Sequence, residues 1–139
     1  MNQGLLFFPV LAIILLIVTV LIIMFRRRKN AIARGELTSA YFKTYDSVQV
    51  VPRDVRQAER CFLNLLEMAP IFFTICLFAV ALEKVDLIFL ILAWLYVAFR
   101  VLQSIVHITS NKLGPRSTLY SLGLLVILAF SLRLGWMII

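Results

Sequence analysis

The sequence predicts an all-α integral membrane protein, a four-helix bundle, and three observations carry that prediction. Four apolar segments, roughly 5–25, 61–82, 87–107 and 118–139, each supply the ~20 helical residues that a ~30 Å hydrocarbon core requires. Only 15% of the 139 residues are charged, against about 25% in a soluble domain, and mean hydropathy is +1.00. The apolar runs are continuous rather than alternating in ten-residue strands, which excludes an outer-membrane barrel. The length suits one transmembrane domain over 1–139.

The first span is expected to stay as an anchor. The leader Met1-Asn2-Gln3-Gly4 carries no basic residue, and a basic run follows the apolar stretch. The helix is predicted to continue through residues 26–34 and stop at Gly35, a residue suited to a helix C-terminus. Residues 36–51, with Tyr41, Phe42 and Tyr45, read as an ordered loop on the membrane face, within a connection of about 26–54. Pro52 breaks the chain, and Asp54 followed by Gln57 predicts a capping pair for the second helix. The short turn at 83–86 makes the second and third helices an antiparallel hairpin. Pro115 suits the first position of the fourth helix, where its missing N–H costs nothing, with Arg116 and Ser117 in the first turn.

The net charge of +7 points away from nucleic acid because of where the charges lie. Arg26, Arg27, Arg28, Lys29, Arg34, Lys43, Arg53 and Arg56 fall between the first two spans, and Lys112 and Arg116 between the last two. The positive-inside rule then puts both basic loops in the cytoplasm and both termini outside, in a bacterial inner membrane or the endoplasmic reticulum. Such a basic surface fits anionic membrane lipid. Cys61 and Cys76 lie about four helical turns apart, too far for a disulfide, and read as packing residues. A single histidine and no CxxC leave no metal site.

Two polar stripes interrupt the apolar helices. Arg56, Arg60, Asn64 and Glu67 share one face of the second helix, and Arg100, Gln103, Ser104, His107 and Asn111 share one face of the third. A charge near the bilayer centre costs roughly 2.5–3.5 kcal/mol on insertion scales, so these residues need partners or a wet site. Both stripes lie at the basic ends of their helices, at matching depth. Arg26, Arg60, Arg100 and Arg116 come from the basic ends of all four helices, with Asn64, Glu67, Gln103, His107, Ser117 and Tyr120 nearby. Guanidinium forks bind carboxylates bidentately and Glu67 can accept an ammonium, so the set fits a small, mostly anionic ligand with one amine. The alternative is a polar network that only joins the helices. Arg133, in the far half of the fourth helix, is expected to snorkel or to pair across helices.

The run Arg60-x-x-x-Asn64-x-x-Glu67-x-x-Pro70 resembles the second-helix motif of the MAPEG family, the membrane-associated proteins in eicosanoid and glutathione metabolism. Glu59-Arg60-Cys61, Arg100 and the run Arg116-Ser117-Thr118-Leu119-Tyr120 look most similar to the prostaglandin E synthase branch. The resemblance implies a homotrimer that binds glutathione between protomers and acts as a transferase, peroxidase or isomerase on a lipophilic small-molecule substrate. Arg60, Asn64 and Glu67 would hold the glutathione backbone and charged ends, with Arg26, Arg100, Gln103, His107 and Tyr120 completing the site. Arg116 and Ser117 match the positions that would stabilise the thiolate. Gln103 stands where that branch has a histidine, His107 where much of the family has a tyrosine, and Lys112 where it has an arginine. A non-catalytic lipid-binding or scaffold protein on the same fold is the second expectation.

Overall fold

The computed structural model describes residues 2–45 and 50–138. A 3-10 turn (Gln3–Leu6) leads into α1 (Phe7–Ala33); a single turn, α2 (Tyr41–Thr44), follows; then come α3 (Arg53–Ala81), α4 (Leu87–Ile108) and α5 (Leu113–Ile138). The four long helices, the first counted from Gln3, are each long and apolar enough to cross a membrane. The chain is an integral, multi-pass, all-helical membrane protein. Residues 46–49 of the expected ordered loop lie outside the described residues.

Local chemistry sets the helix ends. Gly35 (φ 72°) closes α1 in the left-handed region: its N–H donates to Ile32 O and that of Glu36 to Ala31 O. Leu37 then turns inward onto Ala31, Tyr41 and Val55, fixing the chain between α1 and α3. The expected Asp54–Gln57 cap does not form. Pro52, extended at φ −54° and ψ 144°, precedes the first helical residue, Arg53, so Asp54 already stands inside the first turn. Its carboxylate reaches Arg34, and Gln57 donates instead to the His107 and Thr109 carbonyls at the end of α4. Helix α5 begins two residues earlier than expected, at Leu113, which makes Pro115 its third residue. The Arg116 N–H already donates to Lys112 O, so only amides before Pro115 remain free.

Helix α4 packs along α5 and α1 along α3, while α3 meets α4 in the middle; among the described residues no close backbone approach joins α1 to α5. Fully buried aromatic rings form the centre: Phe72 stacks on Tyr96 at 4.7 Å, and Phe89 lies 4.1 Å from Phe130. Among apolar lipid tails this core gains from close packing more than from escape from water. Leu15, Leu77, Leu132 and Trp136 face outward, as lipid-facing surfaces require. Cys61 and Cys76 are buried, free thiols in separate apolar clusters. At the end away from the basic loops, Asp86 caps α4 by accepting from the Phe89 N–H at 2.8 Å. It also pairs with Arg133, which thus bridges helices.

Candidate functional site

The two polar stripes meet where α3, α4 and the start of α5 converge. They form a cleft of about 360 Å3. Helix α3 contributes Arg60, Asn64 and Glu67, and α4 contributes Gln103 and His107 at a spacing of one turn. Helix α5 adds Arg116, Ser117 and Tyr120. Eight of the ten residues singled out in the sequence therefore share one cavity wall.

Arg100 and Arg26 do not line it. Arg100 is 3% exposed and lies behind the cleft, where its Nη2 donates to the Asn64 backbone O at 2.7 Å and to Asn64 Oδ1 at 3.2 Å. Its guanidinium also sits 5.8 Å from the centre of the Tyr120 ring, so one buried cation touches three helices. Gln103 Nε2 donates to the same Asn64 Oδ1 at 3.0 Å. Asn64 thereby joins α3 to α4 and fixes the orientation of the Gln103 amide.

The cleft is not internally neutralised. The ion pairs among the described residues are Arg28–Glu59, Arg34–Glu36, Arg34–Asp54 and Arg133–Asp86. Glu67 and Arg60 belong to none of them, although both line the same cavity. Arg116 donates to Asn111 Oδ1 at 2.6 Å and has no carboxylate partner among the described residues. Two buried acceptors complete the pattern. Gln103 Oε1 and His107 Nδ1 have no hydrogen-bond partner among the described residues, though their side chains are almost fully enclosed. Unmatched buried polar atoms cost about 1–3 kcal/mol each, so Gln103 and His107 hold uncompensated polarity directly behind the wall that they help to line.

Tyr120 also lines a second concavity, an apolar groove of about 580 Å3 between α3 and α5. Met68 and Ile71 form one side, and Leu124, Leu125 and Leu128 the other. Polar cleft and apolar groove are thus neighbours on one seam.

With this geometry in view, a family model for the MAPEG family matches residues 5–136. The chain belongs to the MAPEG family. No curated protein and no solved structure matches it.

In this MAPEG chain the basic end of α1 is arranged differently from the sequence reading. Arg26 is exposed and does not line the cleft. Its neighbours do the structural work: Arg27 donates to Asp54 O and Ile108 O, both at 2.9 Å, tying α1 to α3 and α4. Arg28 pairs with Glu59 and lies over Phe42 at 4.9 Å. The signal for Arg27 was present in the periodicity, because Val20, Met24 and Ala31 mark the buried stripe and Arg27 falls on it. Arg56 likewise leaves the α3 stripe: it is exposed, donates to Val51 O and does not line the cleft.

Proposed function

We propose that this MAPEG chain binds glutathione in the α3–α4–α5 cleft and acts with it on a lipophilic electrophile held in the adjoining groove. The observation that carries this reading is Glu67 and Arg60 in one cleft, neither paired with an opposite charge. Glutathione has two carboxylates, one ammonium, two amides and a thiol. The wall offers two guanidiniums, one carboxylate, the polar side chains of Asn64, Gln103 and His107 and the hydroxyls of Ser117 and Tyr120, a complementary set.

Bound there, glutathione supplies a nucleophilic or reducing thiolate. Glu67 would receive the ammonium, and Arg60 a carboxylate, while Asn64 stays fixed by Arg100 and Gln103. Gln103 and His107 would form the floor against which the peptide lies. Arg116 would stabilise the negative sulfur. Ser117 would add a hydrogen bond once its hydroxyl leaves Gly114 O, to which it donates at 2.9 Å. Tyr120, at the junction of cleft and groove, would stand between thiolate and electrophile. A trimer follows from the family resemblance; Arg26, outside its own protomer's cleft, would then contribute across an interface. Closeness to the prostaglandin E synthase branch rests on the Glu59–Cys61 and Arg116–Tyr120 motifs, and by the positive-inside rule the cleft would open on the cytoplasmic side.

Calorimetric titration of detergent-purified protein with glutathione tests the site. Binding is expected for the natural chain and strong weakening for Glu67→Gln and Arg60→Ala; unchanged binding in both variants sinks the assignment. The engagement of the Ser117 hydroxyl with Gly114 O favours a second reading, a non-catalytic lipid-binding or scaffold protein on this fold. That reading expects glutathione or lipid binding without turnover of chlorodinitrobenzene and no change in Arg116→Ala.

A further inference from the structure

A second cleft of about 360 Å3 opens at the basic end of the bundle. The first two turns of α3 line one side with Arg53, Arg56 and Arg60, and Arg116 of α5 faces them. Among the described residues no carboxylate lines it. The two acidic residues nearest in sequence are engaged elsewhere, Asp54 with Arg34 and Glu59 with Arg28. Glu67 belongs to the other cleft.

Most of the guanidinium donors are free. Arg53 and Arg60 have no hydrogen bond or ion pair among the described residues. Arg56 gives one N–H to Val51 O at 3.3 Å, and Arg116 one to Asn111 Oδ1. The cleft is nevertheless framed: Gln57, between the arginines on α3, donates to two carbonyls at the end of α4 and holds the walls together. His107, buried between the two clefts, also contributes to this wall. Four cations that line one cleft, with no anion among its described lining residues, repel one another unless a ligand neutralises them.

We infer that this cleft binds a phosphate group. A carboxylate has two oxygens and saturates one guanidinium fork. A phosphate presents three or more acceptor oxygens in a tetrahedron and, as a monoester, nearly two charges, so it can meet several forks at once. The position at the start of α3, where the chain enters the membrane-spanning segment, allows two sources of the same chemistry. One is the headgroup of an anionic phospholipid; the other is a soluble phosphorylated compound. Arg60, His107 and Arg116 line both clefts, whereas Arg53 and Arg56 line only this one, so variants at those two probe it apart from the proposed glutathione site.

The test uses the full chain in neutral detergent, titrated with pyrophosphate in one arm and with phosphatidic acid in mixed micelles in the other, against phosphatidylcholine. Binding is expected in at least one arm, and the responding arm identifies the source. Arg53→Ala/Arg56→Ala should weaken it about tenfold or more, since two of the four guanidinium forks are lost. Lys29→Ala/Lys43→Ala removes the same charge elsewhere on this end and should change it less than about twofold. Glutathione affinity should be unaltered in Arg53→Ala/Arg56→Ala, and phosphate binding unaltered in Glu67→Gln, so each site can fail without the other. If the double variant does not fold, Arg53→Gln, at an exposed position, replaces it. No preference over phosphatidylcholine together with no pyrophosphate binding overturns the inference. An equal loss in the lysine variant also does, because diffuse surface charge then explains the binding.

Discussion

Asn64→Ala isolates the join between α3 and α4. The substitution leaves the Asn64 backbone O, so Arg100 keeps its 2.7 Å bond and loses only the longer one at 3.2 Å. The damage falls on Gln103. Its Nε2 loses the 3.0 Å bond to Asn64 Oδ1 while its Oε1 is already unpartnered, leaving a side chain only 3% exposed with no amide partner. In soluble proteins such an orphan costs about 1–3 kcal/mol, whereas hydrogen bonds measured inside a membrane bundle average about 0.6 and reach about 1.7. The near-complete enclosure of Gln103 argues for the upper part of the membrane range, and we expect about 1–1.7 kcal/mol. Unfolding in graded SDS without glutathione reads this directly. Adding Gln103→Leu should recover part of the loss, because the orphaned amide is then gone; a double-mutant cycle gives the coupling. A loss below about 0.3 kcal/mol, or a double variant worse than the sum, would refute the view that Asn64 holds Gln103.

Two further outcomes are expected, beside the glutathione and phosphate titrations. The hydrogen bond from Arg133, and next that from the Phe89 N–H, holds the Asp86 carboxyl below its ordinary 3.8. The folded state therefore binds this proton less readily than the unfolded chain; the stabilisation is present above pH 3.8 and is lost as pH falls through the lower folded value. Melting in detergent between pH 6 and pH 2 should show that decline in the natural chain, and a flatter curve in Asp86→Asn; identical curves would dismiss the pair as a contributor. Arg28→Ala removes the Glu59 ion pair, the Tyr45 hydroxyl contact and the cation facing Phe42. Each cation–ring contact is worth about 0.5–1 kcal/mol at a partly exposed site, so trypsin should cut at Lys43 several-fold faster, and an unchanged rate would mean that other contacts hold α2.

The spans were legible because length and hydropathy in a bilayer leave one solution, a helix, for each apolar run. The cleft was legible for a related reason: Arg60, Asn64 and Glu67 on one helix and Gln103 and His107 on the next share faces by periodicity alone. What escaped was the decision between neighbours. Arg26 and Arg27 have the same chemistry, and the helical phase set by Val20 and Met24 turns Arg27 inward and leaves Arg26 outside. Arg56 keeps the spacing of the α3 stripe, yet it sits in the first turn, where the Val51 carbonyl is within reach. The Asp54–Gln57 pattern failed because Pro52 sets the helix start and α4's open carbonyls compete for Gln57. These outcomes depend on long-range neighbours that local sequence does not specify.

Tyr120 belongs to both the polar cleft and the apolar groove. The consequence concerns how concentration should be counted. A greasy molecule that reaches the groove sideways from the hydrocarbon phase is presented at its mole fraction among lipids or detergent, not at its molarity in the tube. Raising the detergent at fixed total substrate should then lower the reaction rate by surface dilution. The response to glutathione, which arrives from water, would stay the same.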